Sequence, residues 1–103
     1  MCIRDRVKPV YTEYSRHCLR FYCRNPFPNF TDTVSELNWK ACDMAFKDFD
    51  DNETGLLTQV YQSKDHITDT VYELSNKYDL PQTTIWKWVG MLERKVAQER
   101  GLA

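Results

Sequence analysis

The fold of this chain is decided by residues 67–92, which read ITDTVYELSNKYDLPQTTIWKWVGML. In the first half, apolar side chains recur at intervals of three and four residues, at Ile67, Val71, Leu74 and Tyr78. This is the spacing of a single face of an α-helix. We therefore predict a helix that ends near Tyr78 and buries these four side chains.

A turn follows this helix, and a second helix begins directly after the turn. Leu80 precedes a proline and is expected to be extended, whereas Pro81 suits the start of a helix. Asp79 occupies the turn position that often holds glycine, and aspartate tolerates the left-handed conformation better than most residues. The second helix is predicted to run to about Arg100 and to stop at Gly101.

Two helices joined by a three- to four-residue turn describe a helix-turn-helix, whose second helix lies in the major groove of DNA. The motif needs a small residue where the helices cross, and Ser75 lies there. Ile85 and Val89 are expected to be buried on the inner face of the second helix. The predicted DNA contacts on its outer face are Gln82, Thr83, Thr84, Trp86, Lys87, Arg94 and Lys95.

The side chains on this outer face have the chemistry that double-stranded DNA requires. Glutamine can pair with adenine in the major groove, and threonine can bond a base edge or touch a thymine methyl. Lysine and arginine are expected to contact phosphates. The chain's net charge of -1 hides a polarity, because residues 82–103 hold four basic and two acidic side chains. Residues 50–81 hold two basic and seven acidic ones.

Residues 50–102 resemble the DNA-reading fourth region of bacterial sigma factors. When Thr84 and Ile85 are set on the family's Thr-Val pair, Asp79 falls on its usual glycine and Ser75 on its usual alanine. The same alignment places Leu80 on a family isoleucine, Leu74 on a buried isoleucine, and Gln82, Thr83, Trp86 and Lys87 toward the groove. The departures are Asp79 for glycine, Pro81 where serine is common, and the bulky Trp86 on the outer face.

The C-terminal segment, from Ile85 to Leu102, also looks like small phage regulators of the ArpU and RinA type. These are sigma-like transcription activators in prophages of Gram-positive bacteria. The resemblance implies a phage or prophage transcription regulator, and the sequence assembles no catalytic site, so an enzyme is not expected. It leaves open RNA polymerase or another protein as a further partner, and it does not indicate an oligomeric state.

Two other functions remain open from the residues alone. An all-α protein-interaction module, either an adaptor or an inhibitor, would display the face that holds Trp86 and Met91, because exposed aromatic patches mark interfaces. A small phage DNA-packaging subunit would use the same helix-turn-helix to bind genome ends.

The rest of the chain completes a predicted all-α bundle of about five helices. Further helices are predicted over 10–24, 34–48 and 51–63, with a proline-containing linker at 25–30. We divide the chain into an N-terminal part, 7–49, and a helix-turn-helix domain, 50–103.

Two capping boxes mark the starts of the middle helices, Thr33 with Glu36 and Asp50 with Glu53. The helix over 34–48 is apolar on two sides, which predicts a central position.

Arg16, Arg20 and Arg24 form a basic line at every fourth residue of the first helix. This line is interpreted either as a solvated stripe beside the core or as an accessory face that contacts phosphates.

Residues 1–6 read MCIRDR and match the translation of a transposase sequencing adapter. We therefore expect these six residues to be an artefact of a metagenome fragment. They do not resemble a signal peptide, because they contain no apolar stretch. No apolar run approaches the roughly 20 residues that a membrane span needs.

Cys18, Cys23 and Cys42 form an odd set of three once Cys2 is set aside with the artefact. This set predicts free, buried thiols in a reducing cytoplasm. Their spacing does not match a zinc site, and residues 48–61 fail as a calcium loop because a bidentate glutamate is missing at its end. No catalytic motif is visible, so no cofactor or metal is expected.

Overall fold

A computed structural model of the chain describes residues 11–24 and 32–102. These residues contain five α-helices and no strand. The helices are α1 (Thr12–Arg24), α2 (Thr33–Phe46), α3 (Asp51–Gln62), α4 (Ile67–Tyr78) and α5 (Gln82–Glu99). The predicted all-α bundle of about five helices is therefore confirmed. The predictions for residues 1–6 and for the linker 25–30 lie outside the described residues.

Of the two predicted capping boxes, the one at α3 forms and the one at α2 does not. At α3 the predicted box is confirmed: Asp50 Oδ1 accepts from the Glu53 N–H at 2.8 Å, and Glu53 Oε1 accepts from the Asp50 N–H at 3.0 Å. At α2 the predicted Thr33 cap is wrong. Asp32 caps the helix instead, and its Oδ1 accepts from the Ser35 N–H at 2.7 Å. Hydrogen bonding to Ser35 lowers the pKa of Asp32. The carboxylate one residue earlier is the stronger acceptor.

The helix at the centre of the bundle is α5, which packs against each of the other four helices. The prediction that α2 is central is wrong, because α2 packs mainly against α1 and α5, and one of its two apolar sides is only partly covered. Leu37 and Met44 are exposed. The buried residues of α2 are Asn38, Ala41, Cys42, Ala45 and Phe46. In the described stretches, no helix is both long and apolar enough to cross a lipid bilayer.

One continuous core joins residues from both parts of the chain. Cys18 and Leu19 of α1 are fully buried in the same cluster as Leu57 of α3 and Ile85 of α5. Leu56, Leu57, Val60 and Tyr61 of α3 are buried in this cluster as well.

The three described cysteines are free and buried, as predicted. Burial raises the pKa of Cys18 to about 11 and of Cys23 to about 12, and it also raises the pKa of Cys42. These groups are therefore thiols at neutral pH, whereas a cysteine nucleophile must be a thiolate.

A charged cluster inside the bundle fixes α5 against two neighbours. Glu93 is 5% exposed, and its Oε2 accepts from Arg16 Nε of α1 and from the Tyr61 hydroxyl of α3, both at 2.8 Å. Ser15 Oγ donates to the Glu93 carbonyl at 3.0 Å. Burial, followed by the nearby Glu93 carboxylate, raises the pKa of Tyr61 well above its usual value. Tyr61 therefore remains a proton donor.

The segment between α4 and α5 is a tight, internally bonded turn. Asp79 has φ 55° and ψ 48°, the left-handed conformation that the sequence predicted. The Leu80 N–H donates to the Ser75 carbonyl at 3.0 Å, and Ser75 Oγ donates to the Leu80 carbonyl at 2.5 Å. Leu80 is half-buried against the core. Tyr78 departs from the prediction, because its ring is exposed and its hydroxyl accepts from Gln59 Nε2 at 2.9 Å.

The Asp79 conformation predicts opposite effects of two substitutions. Asp79→Gly is expected to raise the free energy of unfolding by about 0.5 kcal/mol, because glycine adopts positive φ without steric cost. Asp79→Val is expected to lower it by about 1–2 kcal/mol, because a β-branched side chain clashes there. Urea unfolding followed by circular dichroism measures both. A more stable valine variant than glycine variant would contradict the assignment.

The Glu93 cluster predicts a large loss of stability on neutralisation. Glu93→Gln leaves the Arg16 guanidinium, whose side chain is 13% exposed, without its charge partner. We expect a loss of about 3 kcal/mol in the free energy of unfolding. The matched control is Glu36→Gln, which breaks the exposed pair with Lys40 and should cost about 0.5 kcal/mol or less. Equal losses in the two variants would rule out the buried pair as a structural constraint.

Candidate nucleic-acid interface

The outer side of α5 carries an exposed stripe that we call the α5 stripe. It consists of Thr83, Lys87, Gly90, Met91 and Arg94, all of which are exposed. Successive residues of an α-helix are rotated by about 100°, so these positions share one side of the helix. Gln82 is exposed at the start of α5 and Thr84 is half-buried. The structure therefore brings together Thr83, Lys87 and Arg94 of the predicted contacts, with Gln82 at their N-terminal end.

The N-terminal end of α5 differs electrostatically from the other helix starts. Pro81 is the N-cap residue, and no side chain caps the helix. Among the five described helices, α5 is the one whose first turn contains no acidic residue. No carboxylate within the first turn of α5 therefore offsets the partial positive charge of its N-terminus. This end of the stripe favours an anionic partner.

The cations of the stripe have no competing acidic partner within the described part of the chain. Neither Lys87 nor Arg94 forms an ion pair there. Lys95 differs, because its Nζ lies 2.5 Å from Oδ2 of Asp48 at the end of α2. Lys95 also lies on another side of α5 and is half-buried. The structure therefore places its charge in a surface ion pair with Asp48 rather than on the stripe.

The two tryptophans of α5 lie beside the stripe rather than on it. Trp86 and Trp88 are both half-buried and pack against the core. Met91 is 44% exposed. The interaction-module alternative expects an exposed patch that contains Trp86 and Met91. Trp86 instead packs at the edge of the core, so Met91 is the exposed residue of this pair.

The basic line of α1 is broken up by the fold. Arg16 contacts Glu93 in the interior, so its interpretation as part of a solvated or phosphate-contacting line is wrong. Arg24 donates through Nη2 to the Ser63 carbonyl at 3.0 Å. Arg20 is half-buried and makes no hydrogen bond or ion pair with the described residues.

A groove of about 410 Å³ lies between α3 and the turn before α5, and its charge is opposite to that of the stripe. Its apolar wall contains Leu56, Leu80 and Trp88, and its rim carries Asp51 and Glu53. The acidic rim makes this groove unsuited to phosphate. The acidic and basic parts seen in the sequence are thus separate surfaces in the structure.

Comparison of the chain with family models, curated proteins and solved structures gave no match.

Sequence reasoning missed the polar residues that hold α5 in place. Glu93 lies four residues after Val89 and four before Ala97, which are both buried, so the helical period itself indicated burial. Asn38 of α2 accepts through Oδ1 from Arg100 Nε at 2.7 Å and from the Tyr14 hydroxyl at 3.0 Å. No local pattern identifies this partner, because 62 residues separate Asn38 from Arg100.

The glycine of the stripe predicts a stabilising substitution. A Cβ added to Gly90 would meet no described atom within 4 Å, and the same holds for Gly55 in α3. Gly90→Ala and Gly55→Ala should each raise the free energy of unfolding by about 0.5–1 kcal/mol, because alanine has the higher helix propensity. Thermal and urea unfolding measure the gain. A loss of stability in either variant would show that the added methyl group meets an obstruction.

Proposed function

We propose that α4 and α5 form a DNA-binding helix-turn-helix, and that α5 reads the major groove of double-stranded DNA with the α5 stripe. The observation that carries this proposal is the exposure of Thr83, Lys87 and Arg94 on one side of a helix whose N-terminus lacks acidic residues. Threonine suits base edges, whereas lysine and arginine suit phosphates. The narrower role of a phage transcription regulator comes from the resemblance to sigma-like activators.

The arrangement around α5 supports this proposal in two ways. Buried Ile85 and Val89 anchor the N-terminal half of the helix, and Glu93 anchors its C-terminal half, so the stripe lies on a rigid support. The stripe also contains Gly90 in open space, where alanine would give a more stable helix. A close approach by a partner is a physical reason for a glycine at such a position.

The proposal predicts salt-dependent binding to DNA. Fluorescence anisotropy with a labelled mixed-sequence duplex at about 50 mM salt should give a Kd between about 1 and 100 µM. Replacing Lys87 and Arg94 together by alanine should weaken binding and reduce the slope of log K against log salt by about 2, because each lost phosphate contact releases about one counterion fewer.

The matched control replaces Lys40 and Lys47, two exposed lysines of α2 and its C-cap, by alanine. This control removes the same charge and should leave the slope unchanged. Gly90→Ala should weaken binding although it stabilises the fold, whereas Gly55→Ala should leave binding unchanged. The proposal fails if no duplex binds at low salt, or if both double variants lose affinity equally.

A further inference from the structure

A second basic feature lies where the C-terminal half of α1 meets the loop between α3 and α4. A pocket of about 280 Å³ is present there. It is lined by Arg20, Arg24, Ser63, Lys64, Asp65 and His66. Three cationic side chains thus surround the pocket with one carboxylate, although the α3–α4 region is acidic as a whole.

The pocket is held in shape by hydrogen bonds between its walls. Arg24 Nη2 donates to the Ser63 carbonyl at 3.0 Å, which joins α1 to the loop. Ser63 Oγ accepts from the Asp65 N–H at 3.1 Å and from the Thr70 hydroxyl at 3.0 Å, which ties the loop to α4. Arginine has five N–H donors. Among the described residues, Arg24 has one side-chain hydrogen bond, the one to Ser63, so its other donors face no described acceptor.

Arg20 supplies a guanidinium group that has no acceptor among the described residues, although it is half-buried. Partial burial of a charge is unfavourable unless a hydrogen-bonded counter-charge compensates for it. The acidic lining residue, Asp65, forms no ion pair with Arg20 or Lys64. An anion in the pocket would satisfy Arg20.

We propose that Arg20, Arg24, Lys64 and His66 form a binding pocket for a phosphate group. Guanidinium groups match phosphate oxygens with paired N–H donors. The pocket volume of about 280 Å³ has room for one phosphate group. The phosphate comes either from a nucleic-acid backbone or from a free phosphate ion. The phosphate pocket is independent of the proposed DNA-binding helix, because none of the pocket residues belongs to α5.

The test uses the full ¹⁵N-labelled chain titrated with inorganic phosphate at constant ionic strength. Saturable shifts are expected at the amides of residues 63–66 and at the Arg20 and Arg24 Nε–H signals. Replacing both arginines by glutamine should raise the Kd for phosphate at least tenfold. Lys40→Gln with Lys47→Gln removes the same charge outside the pocket and should leave the Kd unchanged.

A second variant tests the pocket without removing a hydrogen bond that holds its walls together. Lys64→Gln lies on the exposed loop and keeps the Arg24–Ser63 hydrogen bond. It should also weaken phosphate binding, with an unchanged melting temperature. The proposal is overturned if inorganic phosphate shifts none of these signals, or if it binds equally well to the arginine double variant.

The duplex assay separates the two sources of phosphate. If the pocket takes a backbone phosphate, the arginine double variant should bind duplex more weakly, with a salt slope reduced by about 1 or more. If the variant loses inorganic phosphate binding but binds duplex normally, the pocket takes a free phosphate. If the variant that lacks Lys87 and Arg94 loses duplex binding but keeps its chemical-shift response to phosphate, the result supports the α5 interface and leaves the phosphate pocket intact.

Discussion

Inside the core, the carboxylate of Glu93 accepts hydrogen bonds from Arg16 of α1 and Tyr61 of α3, so one negative charge links three helices. Such a buried pair contributes little net stability relative to apolar packing, because desolvation opposes the attraction. It is nevertheless unfavourable to separate, because either partner alone would be a buried, uncompensated group. The rotation of α5 about its own axis is therefore fixed. If α5 were rotated about its axis by one residue, or about 100°, the Glu93 carboxylate would no longer reach Arg16 or Tyr61.

This fixed rotation divides α5 between two environments. On its inner side, the bundle encloses Ile85, Val89, Leu92, Glu93 and Val96. On its outer side, the α5 stripe lies in solvent. The side that faces solvent is basic, whereas the groove beside α3 is rimmed with carboxylates. A polyanion would meet an attractive surface on one side of the molecule and a repulsive one on another.

Local patterns in the sequence were enough to predict α3, its capping box, the helix pair around the turn and the left-handed Asp79. Each depends on contacts within one turn or one helical face. The predicted central position of α2 and the predicted burial of Tyr78 were wrong, because periodicity shows which side chains share a face but not whether another helix covers that face. Lys87 and Arg94 of the candidate interface were predictable in the same way.

The pairings of the charged side chains were not predictable. Arg16 and Glu93 lie 77 residues apart, and the partner of Lys95 is Asp48, in the segment that follows α2. Whether a cation on a helix surface is available to a ligand depends on such distant partners. Sequence spacing therefore identified candidate contacts, while the tertiary structure separated the available cations from the occupied ones.

The α5 stripe contains none of the buried core residues. The proposed contact residues and the residues that set folding therefore occupy opposite sides of the same helix. Surface substitutions away from buried networks usually change stability by only about 0.5 kcal/mol. The outer side of α5 can consequently diverge in sequence, and with it the partner that is recognised, while the bundle beneath keeps its packing.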